Sequence, residues 1–125
     1  MEPVLEACPT FRPTWDAFVE EWRSEPTLPH YLALADLARH LISALAARDL
    51  ETLTRVFAVV ERWHLEGDQY VREAATVGLL EDLQNESLHT STSPAEFEPF
   101  LLPTSLEFWR KVERFWAKGE IIKDD

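Results

Sequence analysis

The chain has 125 residues, 46% of them hydrophobic, which suits one domain with its own core and excludes a disordered segment. A formal net charge of −11 repels phosphate backbones, so direct binding of DNA or RNA is not expected. One cysteine, no leader and no apolar run near the ~20 residues of a spanning helix point to a cytoplasmic protein that does not enter membranes.

Residues 1–13 carry Pro3, Pro9 and Pro13 and are expected as an extended arm that packs on the domain. A single helical domain should follow over 14–118, with a short frayed tail at 119–125. Thr14 is expected to cap a first helix with Trp15, Phe18, Val19 and Trp22 on one face. After a break with Pro26 and Pro29, His30 to Ala47 is amphipathic: Leu34, Leu37, Ala38, Leu41, Ile42 and Leu45 follow the i, i+3, i+4, i+7 rule. Asp49 should cap the next helix, Leu50 to Glu66, with Leu53, Val56, Phe57, Val60 and Trp63 on its apolar arc.

Gly67 suits a left-handed turn and Asp68 a cap, so another helix is expected over 69–85, roughly antiparallel to the one before. At ~100° per residue Val71, Ala74, Ala75 and Gly78 share a face, and Leu79 and Leu83 flank it. Val77 and Leu80 make the far side apolar too, as in a central helix covered on several sides. Its small residues let a neighbour come close. Residues 86–93 read as a polar loop. Ser93-Pro94-Ala95-Glu96 and Thr104-Ser105-Leu106-Glu107 read as capping boxes. The second would start a last helix with Leu106, Trp109, Val112, Phe115 and Trp116, ended by Gly119. No stretch alternates as a strand. The expected fold is all-α, a compact helical bundle.

The pattern Asp68-x-x-Val71-Arg72-x-x-Ala75, after a helix and a tight turn, resembles the second helix of a HEAT repeat. In that family the arginine and aspartate tie neighbouring helix pairs together and stacked pairs bind proteins. The resemblance implies a HEAT-like antiparallel pair at 50–85. More broadly the chain resembles an uncharacterised family of small bacterial proteins. The similar stretches are Leu28-Pro29-His30-Tyr31-Leu32, Leu34-Ala35-Asp36-Leu37-Ala38, Val56 to Arg62 and Glu66 to Asn85, with a looser likeness at Phe97 to Phe100 and Phe115-Trp116. That family implies no reaction and no catalytic residue. Some small acidic helical proteins of bacteria are immunity factors that neutralise toxins, an analogy of size and charge.

Several constellations carry chemistry. Glu61-x-x-His64 has the spacing of half a di-iron site, and Asp36 and His40 offer a second carboxylate–imidazole pair. A metal or ligand site built from these four would make the protein a small enzyme. His64 lies in line with Leu53, Phe57 and Val60, however, and a buried histidine with satisfied nitrogens is the leading explanation. Asp82 falls on the close-packed face and needs a partner, for which Arg39, His64 and Arg72 are candidates. A structural ion pair, a functional carboxylate and partial exposure at the helix end all remain open for it. There is no glycine-rich phosphate loop, nucleophile elbow or Cys-x-x-Cys, so no catalytic residue and no cofactor are assigned.

Acidic residues dominate 61–86: Glu61, Glu66, Asp68, Glu73, Glu81, Asp82 and Glu86 face only Arg62 and Arg72. Trp63 borders this segment and Tyr70 lies just beyond the turn. The leading expectation is a non-enzymatic module that binds a basic protein surface through Trp63, Glu66, Asp68, Tyr70, Glu73 and Glu81. The alternatives are the small enzyme using Asp36, His40, Glu61 and His64, and a homo-oligomer with Trp109 and Trp116 at its interface. The oligomeric state is left open.

Overall fold

A computed structural model describes residues 1–119 and 121–123. Helices run over α1 (Glu2–Ala7), α2 (Arg12–Glu21), α3 (His30–Ala46), α4 (Leu50–Glu66), α5 (69–83) and α6 (Pro103–Lys118). Short 3-10 turns lie at Pro9–Phe11, Glu86–Leu88 and Pro94–Phe100, and the described residues contain no strand. The fold is all-α and compact. Its core takes Leu37 and Leu41 from α3, Leu53 and Phe57 from α4, Leu79 from α5 and Trp109 from α6, all shielded from water.

The N-terminal segment is not an extended arm. Pro3, Pro9 and Pro13 each sit in the first turn of a helix, where a missing N–H breaks no bond. Helix α1 packs against α4, and Val4, Leu5, Cys8 and Phe11 are buried in the core. Helix α2 therefore starts at Arg12 rather than after Thr14, which is exposed.

Helix α3 ends in a Schellman motif, with Arg48 N–H bonded to Leu45 O at 3.1 Å and Asp49 N–H to Ala44 O at 2.9 Å. The left-handed position, usually a glycine, is Arg48 at φ 60°. Asp49 caps α4 as expected, accepting from the Thr52 N–H at 3.2 Å and the Thr52 hydroxyl at 2.7 Å. Asp68 caps α5 in the same way, 2.9 Å from the Val71 nitrogen.

Gly67 does not take the left-handed turn expected of it; its backbone is extended at φ −72°, ψ 157°. What demands glycine is space. A Cβ there would lie 2.5 Å from both the Trp63 carbonyl oxygen and Val71 Cγ1.

Helix α5 is one run in three parts: Gln69–Glu73 is α-helical, Ala74–Leu80 is π-helical and Glu81–Leu83 returns to α. It packs against α3, α4 and α6. At Gly78 a Cβ would meet Leu34 Cδ1 at 3.0 Å and Tyr31 Cδ1 at 3.1 Å, so α3 comes close where the small residues allow it. The wider pitch of the π segment shifts the phase of a wheel drawn at ~100° per residue. Thr76, off the expected apolar face, is accordingly buried.

Ser93 and Glu96 form the first capping box, the Ser93 N–H donating to the Glu96 carboxylate at 2.6 Å. The second does not form. Helix α6 begins at Pro103, and its first N–H groups turn to another helix instead. Gly119 closes α6 at φ 68°. Of the tail expected at 119–125, Ile122 packs on the core and the Lys123 carbonyl accepts from Lys111 Nζ at 2.9 Å. Glu120, Asp124 and Asp125 lie outside the described residues.

Candidate functional site

A buried polar chain joins α4, α5 and α6. Glu61 on α4 accepts from the backbone N–H of Ser105 at 2.7 Å and of Thr104 at 3.0 Å, capping α6 from a distant part of the sequence. His64, one turn on, lies 2.9 Å through Nδ1 from Ser105 Oγ and 3.1 Å through Nε2 from Thr76 Oγ1. Its ring stacks on Phe108, with centroids 4.7 Å apart and planes 9° from parallel. One consistent ordering of protons has His64 Nδ1–H donating to Ser105 Oγ and the Thr76 O–H donating to His64 Nε2. Burial raises the Glu61 pKa, but the hydrogen bonds from Ser105 and Thr104 outweigh it and hold the carboxyl below its ordinary range.

Serine, histidine and glutamate are also the residue types of a hydrolytic triad. There the acid orients the imidazole and the hydroxyl meets substrate. Here the carboxylate holds backbone N–H groups and Ser105 is wholly buried, so the chain is a structural tie.

The two carboxylate–imidazole pairs do not assemble into one centre. His40 Nε2 lies 2.9 Å from Thr10 Oγ1 and its ring stands edge-on to Phe11, while Asp36 is bridged to Arg39. Burial lowers the His40 pKa despite the opposing charge of Asp49. Among the described residues no three His, Cys, Asp or Glu side chains gather where a metal ion would be held. Asp82 is half-buried; burial raises its pKa and the Arg39 charge lowers it in part. Glu81 beside it is raised by burial and then by Asp82.

The acidic and aromatic residues are spread over different environments. Glu66, Asp68 and Glu73 are exposed, Glu81 is half-buried, and Glu61 is consumed by the α6 cap. Trp63 is half-buried and Tyr70 is 54% exposed. Trp63 and Tyr70 line one groove of about 250 Å³ with Met1, His30, Leu34 and Ala75, at the α4–α5 turn. Tyr70 stands edge-on to Tyr31 and His30, at 6.3 and 6.4 Å. Arg72 donates to the Gly67 carbonyl at 2.7 Å, back across the same turn.

A family model described as a domain of unknown function, DUF7674, matches residues 1–117. The chain belongs to the DUF7674 family. No curated protein and no solved structure matches it. The DUF7674 match takes in α1 as well as the central helices, in keeping with the core position of Val4, Leu5 and Phe11.

A second groove of the DUF7674 domain, about 710 Å³, runs past Gln84, Asn85, Pro94, Glu113 and Trp116. Trp109 reaches it only from below: 1% of its surface is exposed, and its indole N–H is buried with no partner among the described groups. A self-interface using both Trp109 and Trp116 is therefore corrected, since Trp109 is core and only Trp116, 51% exposed, is at the surface. Sequence reasoning missed Thr76, Ser105, Met1 and His30. The first two are polar residues buried by contacts from other helices, and the last two reach the groove only once the chain is folded.

Proposed function

We propose that this domain is a non-enzymatic protein-binding module whose acidic α4–α5 surface docks a basic face of a partner. The observation that carries this reading is a groove lined by Trp63 and Tyr70 at the α4–α5 turn, on a stretch of chain that also exposes Glu66, Asp68 and Glu73. Charge would steer the encounter and the aromatic groove would exclude water at its centre. Its sharpest form is a bacterial immunity or inhibitor protein that works by occlusion in the cytoplasm, where the free, buried thiol of Cys8 stays reduced. Under this reading α4 and α5 act as a HEAT-like pair, supported by their two-residue connection and by Asp68 and Arg72 both bonding at that turn.

The test is capture from a lysate of the source organism by wild type and by a Glu66→Lys/Glu73→Lys variant, at low and physiological salt. Expected is a specific partner that weakens with salt and is lost in the charge-reversed variant. A partner retained equally by both proteins overturns the reading.

A second reading, self-association through α6, has the exposed Phe115–Trp116 pair in its favour, with rings 5.7 Å apart. Light scattering of wild type and Trp116→Ser decides it: a dimer that becomes a monomer supports it, and a monomeric wild type excludes it.

A further inference from the structure

The groove at the α4–α5 turn combines three features that together select one kind of side chain. Leu34, Ala74 and Ala75 give it an aliphatic lining on which the stem of a long side chain would lie. Trp63 and Tyr70 supply aromatic rings, whose faces attract cations. Acidic residues come from the same stretch of chain. Burial and then the nearby Glu73 charge raise the Tyr31 pKa, and Tyr31 stands edge-on to Tyr70, so one carboxylate lies close to the ring cluster. Glu66 and Asp68 add exposed carboxylates at the turn itself. The two nearby arginines in sequence are engaged, Arg62 with Glu66 at 3.7 Å and Arg72 with the Gly67 carbonyl.

We propose that this groove receives an arginine side chain from a basic segment of a protein partner. The inference rests on the protein-binding reading above and specifies its anchor. A guanidinium is planar and weakly hydrated, so it stacks on an aromatic ring and still donates N–H groups to a carboxylate at its edge. An ammonium is more strongly hydrated and has no flat face to stack. The complementarity is also global, since the chain carries a formal charge of −11.

The experiment titrates the full chain with a synthetic nonapeptide of alternating glycine and arginine, followed by amide chemical shifts and calorimetry. A matched peptide with citrulline for arginine keeps the shape and removes the charge. Expected are shifts centred on Trp63, Tyr70 and Val71, and an affinity that falls about tenfold or more in Trp63→Ala and in Glu73→Gln. The citrulline peptide should not bind. Tyr70→Ser alters an exposed side chain and serves if Trp63→Ala fails to fold; it should weaken binding similarly. Equal binding by the citrulline peptide, or arginine binding unchanged in Trp63→Ala and Tyr70→Ser, overturns the proposal. If binding survives those two variants but is lost in Glu66→Lys/Glu73→Lys, the acidic docking surface stands and the groove does not. If the arginine peptide binds nowhere, the groove assignment fails, while the lysate capture still decides the broader reading.

Discussion

Glu61 illustrates how a residue can be picked correctly for its chemistry and wrongly for its task. Its spacing to His64 suggests metal ligation, yet its carboxylate is committed to two backbone N–H groups of α6. Glu61→Ala should destabilise the fold by about 3 kcal/mol, because it leaves both donors without their charged acceptor. Chemical denaturation measures this. The depressed pKa sets the sign with pH: the stabilisation is complete above the ordinary value of 4.5 and disappears as pH falls through the lower folded value. Glu61→Gln should flatten that acid limb. Asp82 behaves oppositely. Its folded pKa is raised, so the ionised form opposes folding at neutral pH, and the penalty fades as pH falls through the folded value toward 3.8. Asp82→Asn should therefore raise the Tm at pH 7, and the gain should vanish near pH 3.8; a lower Tm at pH 7 would mean that Arg39 stabilises the ion more than burial opposes it.

At the scale of the element, the periodic helices were legible and their boundaries only partly so. Helix α3 buries the residues its spacing predicts and α4 buries Leu53, Val56, Phe57 and Val60 but leaves Trp63 half-buried, because a regular α pitch keeps most of a sequence stripe in phase with the packed face. The π segment of α5 breaks that phase, and no local residue pattern announces it. Prolines misled the reading of residues 1–13, since Pro at the first turn starts a helix as readily as it marks an arm. The α6 start was misplaced because its cap comes from α4. Two substitutions test the turns. Gly67→Ala should cost about 1–3 kcal/mol through collision with the Trp63 carbonyl, despite a φ that alanine accepts. Arg48→Gly should gain about 0.5 kcal/mol by relieving a left-handed arginine, the loss of chain entropy offsetting part of the relief. Thermal melts of the two variants should move in opposite directions.

For the whole molecule, helical periodicity and the lack of strand alternation foretold an all-helical domain but not how its charge is used. Asp49 and Asp68 cap helices, Glu61 is buried and Asp82 half-buried, whereas Glu66 and Glu73 stay exposed on the two helices that flank the aromatic groove. The groove itself was half legible: Trp63 and Tyr70 flank one turn in sequence, whereas His30 and Leu34 arrive from α3. With so large a net charge, self-repulsion should make the Tm rise as salt is added from low ionic strength, a trend that calorimetry would show. The Glu61 tie also has a bearing on time. An ordinary helix end is closed by its own neighbours and frays on its own, but the first turn of α6 is held from more than forty residues upstream. In hydrogen–deuterium exchange the amides of Thr104 and Ser105 should then be among the slow ones, opening only when α4 and α6 part company. In folding, α6 would acquire a settled beginning only after α4 is in place to receive it.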